Sequence, residues 1–219
     1  MKTFRLTYLI LGLNILATSC SIFKKDKSRE SLPTENKTNS LPQGQNYVSE
    51  LSPSALKSHI NQALKYSQQN GYSTEYCFLV DMGISSGRNR LFVLDMKKNT
   101  LVLAGLVAHG NCNNQSLEQA RFSNTPNCGC SSSGRYKVGT SYRGEFGKSY
   151  RLYGLDSSNS NAFKRGIVLH AFDPVPDQEI YPMVLCNSFG CPMVSRSFLN
   201  KLSSIIDRSE KPILLWIYK

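Results

Sequence analysis

Seven short runs of apolar, β-branched and aromatic residues follow one another after residue 74, most of them bounded by Gly, Asn or Ser. They are EYCFLVDM (75–82), RLFVLDMK (90–97), NTLVLAGLVAHG (99–110), GRYKVGTS (134–141), SYRLYGL (149–155), RGIVLHAF (165–172) and ILLWIYK (213–219). Runs of this length between turn formers are strands, because branched and aromatic side chains pack well on a pleated surface. Only two stretches keep a helical period. SPSALKSHINQALKYSQQNG (52–71) puts Leu56, Ile60, Ala63, Leu64 and Ser67 on one face, with Pro53 in the first turn and Gly71 at the stop. SRSFLNKLSSIID (195–207) is the second. The expected fold is mainly β, a sandwich or barrel with one N-terminal and one C-terminal helix packed outside. It occupies residues 51–219, long enough for one domain with its own core.

The residues before 51 read differently. MKTFRLTYLILGLNILATSC begins with Lys2 and Arg5, continues with an apolar run too short to span a bilayer comfortably, and ends in Ala17, Thr18, Ser19 and Cys20. That order resembles a bacterial lipoprotein signal, with residues 1–19 removed and Cys20 acylated as the new N-terminus. Residues 20–50 are then a lipidated N-terminus and a tether. Rich in Ser, Asn and Lys, the tether buries too little apolar surface to offset its ordering entropy. The net charge is +11, and removing Lys2 and Arg5 leaves 11 − 2 = +9. A basic protein outside the cytoplasm faces cell-wall polymer and membrane surface, and nucleic acid is not expected as a partner.

Chemistry concentrates at CNSFGCPMVS (186–195). Gly190 and Pro192 place Cys191 at a sharp backbone feature, where consecutive N–H groups can face a developing oxyanion. A thiol nucleophile needs a base, and the chain has three histidines, His59, His109 and His170. His109 and His170 each end an apolar run, and His170 precedes Cys191 by 191 − 170 = 21 positions. The other readings of Cys191 are a disulfide staple and a metal ligand. Seven cysteines, less Cys20, leave an even six. CGC at 128–130 with Cys112 and His109 matches no common zinc spacing, so no metal site is expected. A bridge from Cys112 to Cys128 or Cys130 would brace the turn-rich segment between them.

GIVLHAF followed by CNSFGCPMVS resembles the L,D-transpeptidases of bacterial cell-wall metabolism, the YkuD-like enzymes, and within them a branch whose motif ends in Gly-Cys-Pro. The signature of histidine, spacer and Ser/Thr-X-Gly-Cys falls on His170, Ser188, Gly190 and Cys191. The resemblance extends through CFLVDMGISSGRNRLFVLD, GLVAHGNC, ARFSNTPNCGCSSSGRYKVG, YRGEFGKSYRLYGLD and SNAFKRGIVLHA, roughly residues 75–195. It departs where relatives often carry Arg at the position of Asn187 and Ala at that of Met193.

The resemblance implies acyl transfer on peptidoglycan stem peptides, with a thioester on Cys191 and no cofactor. His170 is the implied base, Gly190 and Cys191 supply oxyanion N–H groups, and Ser188 orients His170 or shapes the cleft. The expected substrate contacts are His109, Asn187, Phe189 and Arg196, with Arg165 a second cation for a carboxylate. Water in place of the acceptor amine would make an L,D-carboxypeptidase. Two further classes stand beside these: a wall-binding lipoprotein without chemistry, and a thiol-redox protein using CGC. Oligomeric state is left open.

Overall fold

The computed structural model describes residues 53–219. The signal peptide, Cys20 and the tether lie outside the described residues. The elements are α1 (Pro53–Asn70), β1 (Tyr76–Asp81), β2 (Leu91–Asp95), β3 (Thr100–Gly105), β4 (Gly134–Gly144), β5 (Gly147–Gly154), β6 (Val168–Ala171), β7 (Met193–Val194), α2 (Arg196–Ile206) and β8 (Leu214–Tyr218). A short 3₁₀ turn, Ser157–Asn159, follows β5.

All the strands join one sheet in the order β3-β2-β1-β8-β4-β5-β6-β7. The β1–β8 and β6–β7 pairs are parallel, and every other pair is antiparallel. The chain leaving β3 then crosses to the opposite edge, where the Ala108 N–H donates to the Met193 carbonyl at 2.8 Å. The sheet therefore curls until its two edges nearly meet.

Both faces of β1, β2 and β8 are covered, which explains why these strands read as apolar runs, whereas β4 and β5 alternate buried with exposed residues. Phe78, Val80, Leu91, Val93, Tyr136, Val138, Tyr150, Leu152, Leu169 and Leu215 fill the inner face with Phe198, Leu199 and Leu202 of α2. Cys77, Leu79, Phe92, Leu94 and Leu214 form a second layer with Ile60 and Ala63 of α1. A third, smaller cluster joins Leu106, Ala108, Val175, Leu185 and Met193 beside β7. The mainly β architecture with two helices is as the sequence indicates, and β7 is the one strand the sequence reading does not contain. Among the described residues no helix is long and apolar enough to cross a membrane.

Strand β8 joins the two halves of the sheet, and its Leu215 is fully buried between β1 and β4. Leu215→Ala should cost about 2–5 kcal/mol, the range for truncating a core leucine. Chemical denaturation checks this by a lower midpoint with an unchanged slope.

Candidate active site

Cys191 sits at the end of a turn held by hydrogen bonds within itself and to residues 109–111 and 131. The Ser188 N–H donates to the His109 carbonyl and the Asn111 N–H to the Ser188 carbonyl, both at 2.8 Å. The Ser188 Oγ accepts from the Gly190 N–H at 3.0 Å and donates to the Cys191 carbonyl at 2.6 Å. Ser131 Oγ donates to the Gly190 carbonyl at 3.2 Å while accepting from the Gly110 N–H at 3.0 Å. Gly190 has φ +116°, and a Cβ there would stand 2.7 Å from the Cys130 carbonyl oxygen. Glycine is needed at that position for conformation and for space.

Ser188 bonds its own turn and not His170 in this structure, so of its two expected parts it keeps shaping the cleft. The Gly190 N–H is committed to Ser188, so it is not free for an oxyanion. The Cys191 N–H makes no hydrogen bond among the described residues.

His170 lies on β6 in register with Met193 of β7. Continuing that parallel register sets Val168 opposite Cys191, and the Cys191 Sγ rests 3.9 Å from the Gly166 carbonyl just before β6. Cys191, two residues before β7, is thus diagonal to His170 across the β6–β7 edge. The His170 Nδ1 is 2.9 Å from the Ala171 carbonyl oxygen. That oxygen only accepts, so Nδ1 carries the proton and Nε2 presents a lone pair. The Phe146 ring, at the tip of the β4–β5 hairpin, stacks on the imidazole with centroids 4.3 Å apart.

Burial lowers the His170 pKa below its ordinary 6.5, partly opposed by the bond to Ala171. Burial raises the Cys191 thiol above its ordinary 9.0, opposed by a backbone contact at Val168 and by the charge of Arg165. Both partners are therefore neutral near pH 7.

Residues 111–131 form one wall beside the thiol. Cys112 and Cys130 are bridged, one of the two pairings the sequence leaves open. Cys77, Cys128, Cys186 and Cys191 carry no disulfide. Arg165 spans the wall, its Nη1 donating to Ser132 Oγ at 2.6 Å and to the Ser123 carbonyl at 3.0 Å. Its Nη2 reaches the Cys130 carbonyl and the Cys128 Sγ.

The expected substrate contacts divide. Phe189 is 80% exposed beside a depression lined by Asn127, Lys164 and Arg165. Arg196 borders a second depression with Phe146, Ala171 and Asp173, and pairs with Asp173 at 2.7 Å. His109 and Asn187 are engaged elsewhere. His109 is buried, with Nδ1 accepting from Arg90 Nη2 at 2.8 Å and Nε2 donating to the Leu117 carbonyl at 3.1 Å. Asn187 clasps the Leu117 backbone through both amide atoms, at 2.7 and 2.9 Å. Neither offers a polar atom to a cleft in this structure. His59 stacks on Tyr218, in the part of the sheet under α1. Arg90, Ser131 and Phe146 are absent from the sequence reading. Arg90 opens an apolar run and Phe146 sits in the turn GEFG, so neither carries a pattern beyond its local element. Among the described residues no group of three or more His, Cys, Asp or Glu side chains converges to hold a metal.

A cysteine on a positive-φ glycine turn, with a histidine on the adjoining strand of a curled β-sheet, has the two parts that a thiol nucleophile and its base require. The model of the L,D-transpeptidase catalytic domain matches residues 48–218, and the chain belongs to that family. No curated protein matches the chain. Among solved structures it is similar to the helical cell shape determining protein of Campylobacter jejuni, at 11% identity and TM-score 0.41, covering 73% of this chain and 55% of that one. It is also similar to an L,D-transpeptidase from Xylanimonas cellulosilytica, at 16% identity and TM-score 0.39, covering 70% of this chain and 68% of that one. A third is an L,D-transpeptidase from Mycobacterium smegmatis, at 10% identity and TM-score 0.40, covering 66% and 59%. The chain spans about half the length of the Campylobacter structure.

Gly190→Ala should both destabilise the protein and slow modification of Cys191, since the turn must open to admit a Cβ against Cys130. Melting temperature and the rate of labelling by a small thiol reagent measure the two effects separately. His109 supplies a second expectation. Burial and the neighbouring Arg90 charge hold its pKa down at about 4. Above pH 6.5 the group is neutral folded or unfolded. Between about 6.5 and 4 only the unfolded chain takes up the proton, so stability should fall by about 3 kcal/mol over that window. His109→Gln can keep an acceptor for Arg90 and a donor for Leu117 without titrating. Its stability should decline more gently with acid, measured by denaturant midpoints across the pH series.

Proposed function

We propose that the protein is an L,D-transpeptidase acting on peptidoglycan stem peptides through a thioester on Cys191. The observation that carries this reading is the fixed tautomer of His170. Its Nδ1–H is held by Ala171, and its Nε2 lone pair lies on the strand beside the thiol. Because thiol and imidazole both rest neutral, the proton moves as the bond forms. His170 Nε2 takes the Cys191 proton while Sγ attacks the carbonyl that follows the L-centre of the stem diamino acid. The Cys191 N–H faces the oxyanion. His170 then returns the proton to the departing D-amino acid, leaving a thioester. An amine from a neighbouring stem resolves it, losing its proton to His170 and releasing the thiol. Phe189, Arg165 and Arg196 border the two depressions on either side and are the proposed substrate contacts.

The same reading places the 51–219 domain in a bacterial envelope, on a tether of residues 20–50 behind a lipid on Cys20.

Incubation with a defined disaccharide-tetrapeptide, followed by mass spectrometry, tests the proposal. A cross-linked dimer or an exchange product supports it. A tripeptide alone assigns the carboxypeptidase, and no reaction returns the domain to a binding role. Cys191→Ser should remove turnover without loss of fold, since an alcohol is far less acidic than a thiol. The pH profile is a separate check. A depressed His170 pKa keeps the base neutral below pH 6.5, so the acid limb of acylation should be centred below that value. His170→Ala should abolish the limb and react appreciably only in alkali, where the thiol ionises unaided. An acid limb centred above 6.5 would count against His170 as the base.

A further inference from the structure

The two strands that carry the proposed dyad run in the same direction, and the cleft has a polarity along them. β6 and β7 pair in parallel, with His170 opposite Met193. Along β6 and its approach come Lys164 and Arg165, then Gly166, whose carbonyl lies 3.9 Å from the Cys191 Sγ, then His170, then Ala171 and Asp173. Along the neighbouring segment, in the same direction, come Phe189, Cys191 and Arg196. The two depressions lie at opposite ends of this line. Asn113, Asn127, Lys164, Arg165 and Phe189 line the first, whose volume of about 550 Å³ is that of a ligand cleft. Glu145, Phe146, Ala171, Asp173 and Arg196 line the second.

This order decides which part of a stem peptide each depression can take. The departing amine receives its proton from His170, so it leaves on the His170 side of the scissile carbonyl. The acceptor amine gives its proton to the same imidazole and arrives from the same side. The acyl part of the donor stem then extends the other way, past Gly166 and into the first depression.

The charges agree with that direction. An amine in water arrives as an ammonium, and the second depression offers it Glu145 and Asp173. The first is lined by two cations and no carboxylate. Arg165 is fixed there: its Nη1 and Nη2 each bond twice to the wall, so they add charge and no spare donor. Lys164 is exposed, and among the described residues its ammonium forms no ion pair. An unpaired ammonium beside a fixed guanidinium suits an anion. In a stem peptide, the residue before the diamino acid is a glutamate joined through its γ-carboxyl, which leaves the α-carboxyl free. That group lies on the acyl side, one residue from the reacting carbonyl.

We infer that Lys164 determines specificity by binding this α-carboxylate of the donor stem, so that stems carrying the free acid are used in preference to stems carrying an amide there. The inference rests on the proposed reaction and adds to it the direction in which the donor lies.

The test uses the whole chain and two tetrapeptide stems that differ only at this group, one with the α-carboxylate and one with the α-amide. Mass spectrometry follows the rate of Cys191 acylation by each at low stem concentration. Wild type should favour the carboxylate by about fivefold, the upper range for an exposed ion pair, and the preference should shrink in high salt. Lys164→Gln should bring the ratio of the two rates close to one, Lys164→Glu should reverse it, and Lys164→Arg should keep it. A ratio measured on one protein sample does not depend on how much of that sample is folded. Equal rates in wild type overturn the inference and leave the reaction standing. A preference that survives in Lys164→Gln overturns it too, and moves the discrimination to another group. Acylation by neither stem overturns the proposed function, and the role of Lys164 with it.

Discussion

One buried charge organises the site. Arg90 is 1% exposed just before β2, and its guanidinium donates to the Val107 carbonyl twice, to the Ile84 carbonyl and to His109 Nδ1. A guanidinium removed from water costs several kcal/mol unless its donors are met, so this geometry is strongly enforced. It fixes residues 107–109, where the chain crosses from β3 to the far edge of the sheet. The His109 carbonyl then holds the Ser188 N–H, and Ser188 closes the turn that carries Cys191. The thiol is positioned from the core outward, through backbone atoms, and not by a loop resting on the surface.

The electrostatics of the proposed dyad give that rigidity a purpose. Desolvation acts on the thiol and on the imidazole in opposite directions, and both shifts favour the uncharged pair. Thiolate is the species that oxidants and adventitious electrophiles consume. A thiol kept protonated until a carbonyl occupies the cleft is spared much of that damage. The proton acceptor needs no carboxylate behind it, because the Ala171 carbonyl already selects the tautomer.

Strands β1, β2 and β8 were legible in the sequence because both faces of the sheet are covered there, and β4 and β5 because their apolar and polar residues alternate. Apolar runs such as LFVLD and LLWIY stand out when neither side needs polar residues. β7, at two residues, is too short to show any period, and only its pairing with His170 reveals it. The cysteine turn and His170 were legible from local chemistry and family resemblance together. What distinguishes His109 from His170 was not, since each ends an apolar run. The difference is made by Arg90, nineteen residues before His109, whose side chain claims one imidazole and leaves the other alone. The bonds of Ser188 were not legible for a related reason: a hydroxyl in a tight turn bonds its own backbone before anything distant.

The position of β8 has a consequence for how such a domain comes into being. Cys77 pairs with Leu214 across 214 − 77 = 137 positions, and β4 pairs with the same strand on its other side. Until residues 214–218 have been made, the β1–β3 and β4–β7 halves lack the strand that pairs with both, and only the contact of Ala108 with Met193 at the far edges links their backbones. A chain made in order therefore holds two ribbons, each with an open edge, until the last strand fills the space between them. Contacts so distant along the chain form slowly, and the unjoined edges are open to aggregation. Holding factors that shield strand edges would matter most in that interval, and any product that stops short of residue 214 would be a substrate for proteolysis instead of a smaller enzyme.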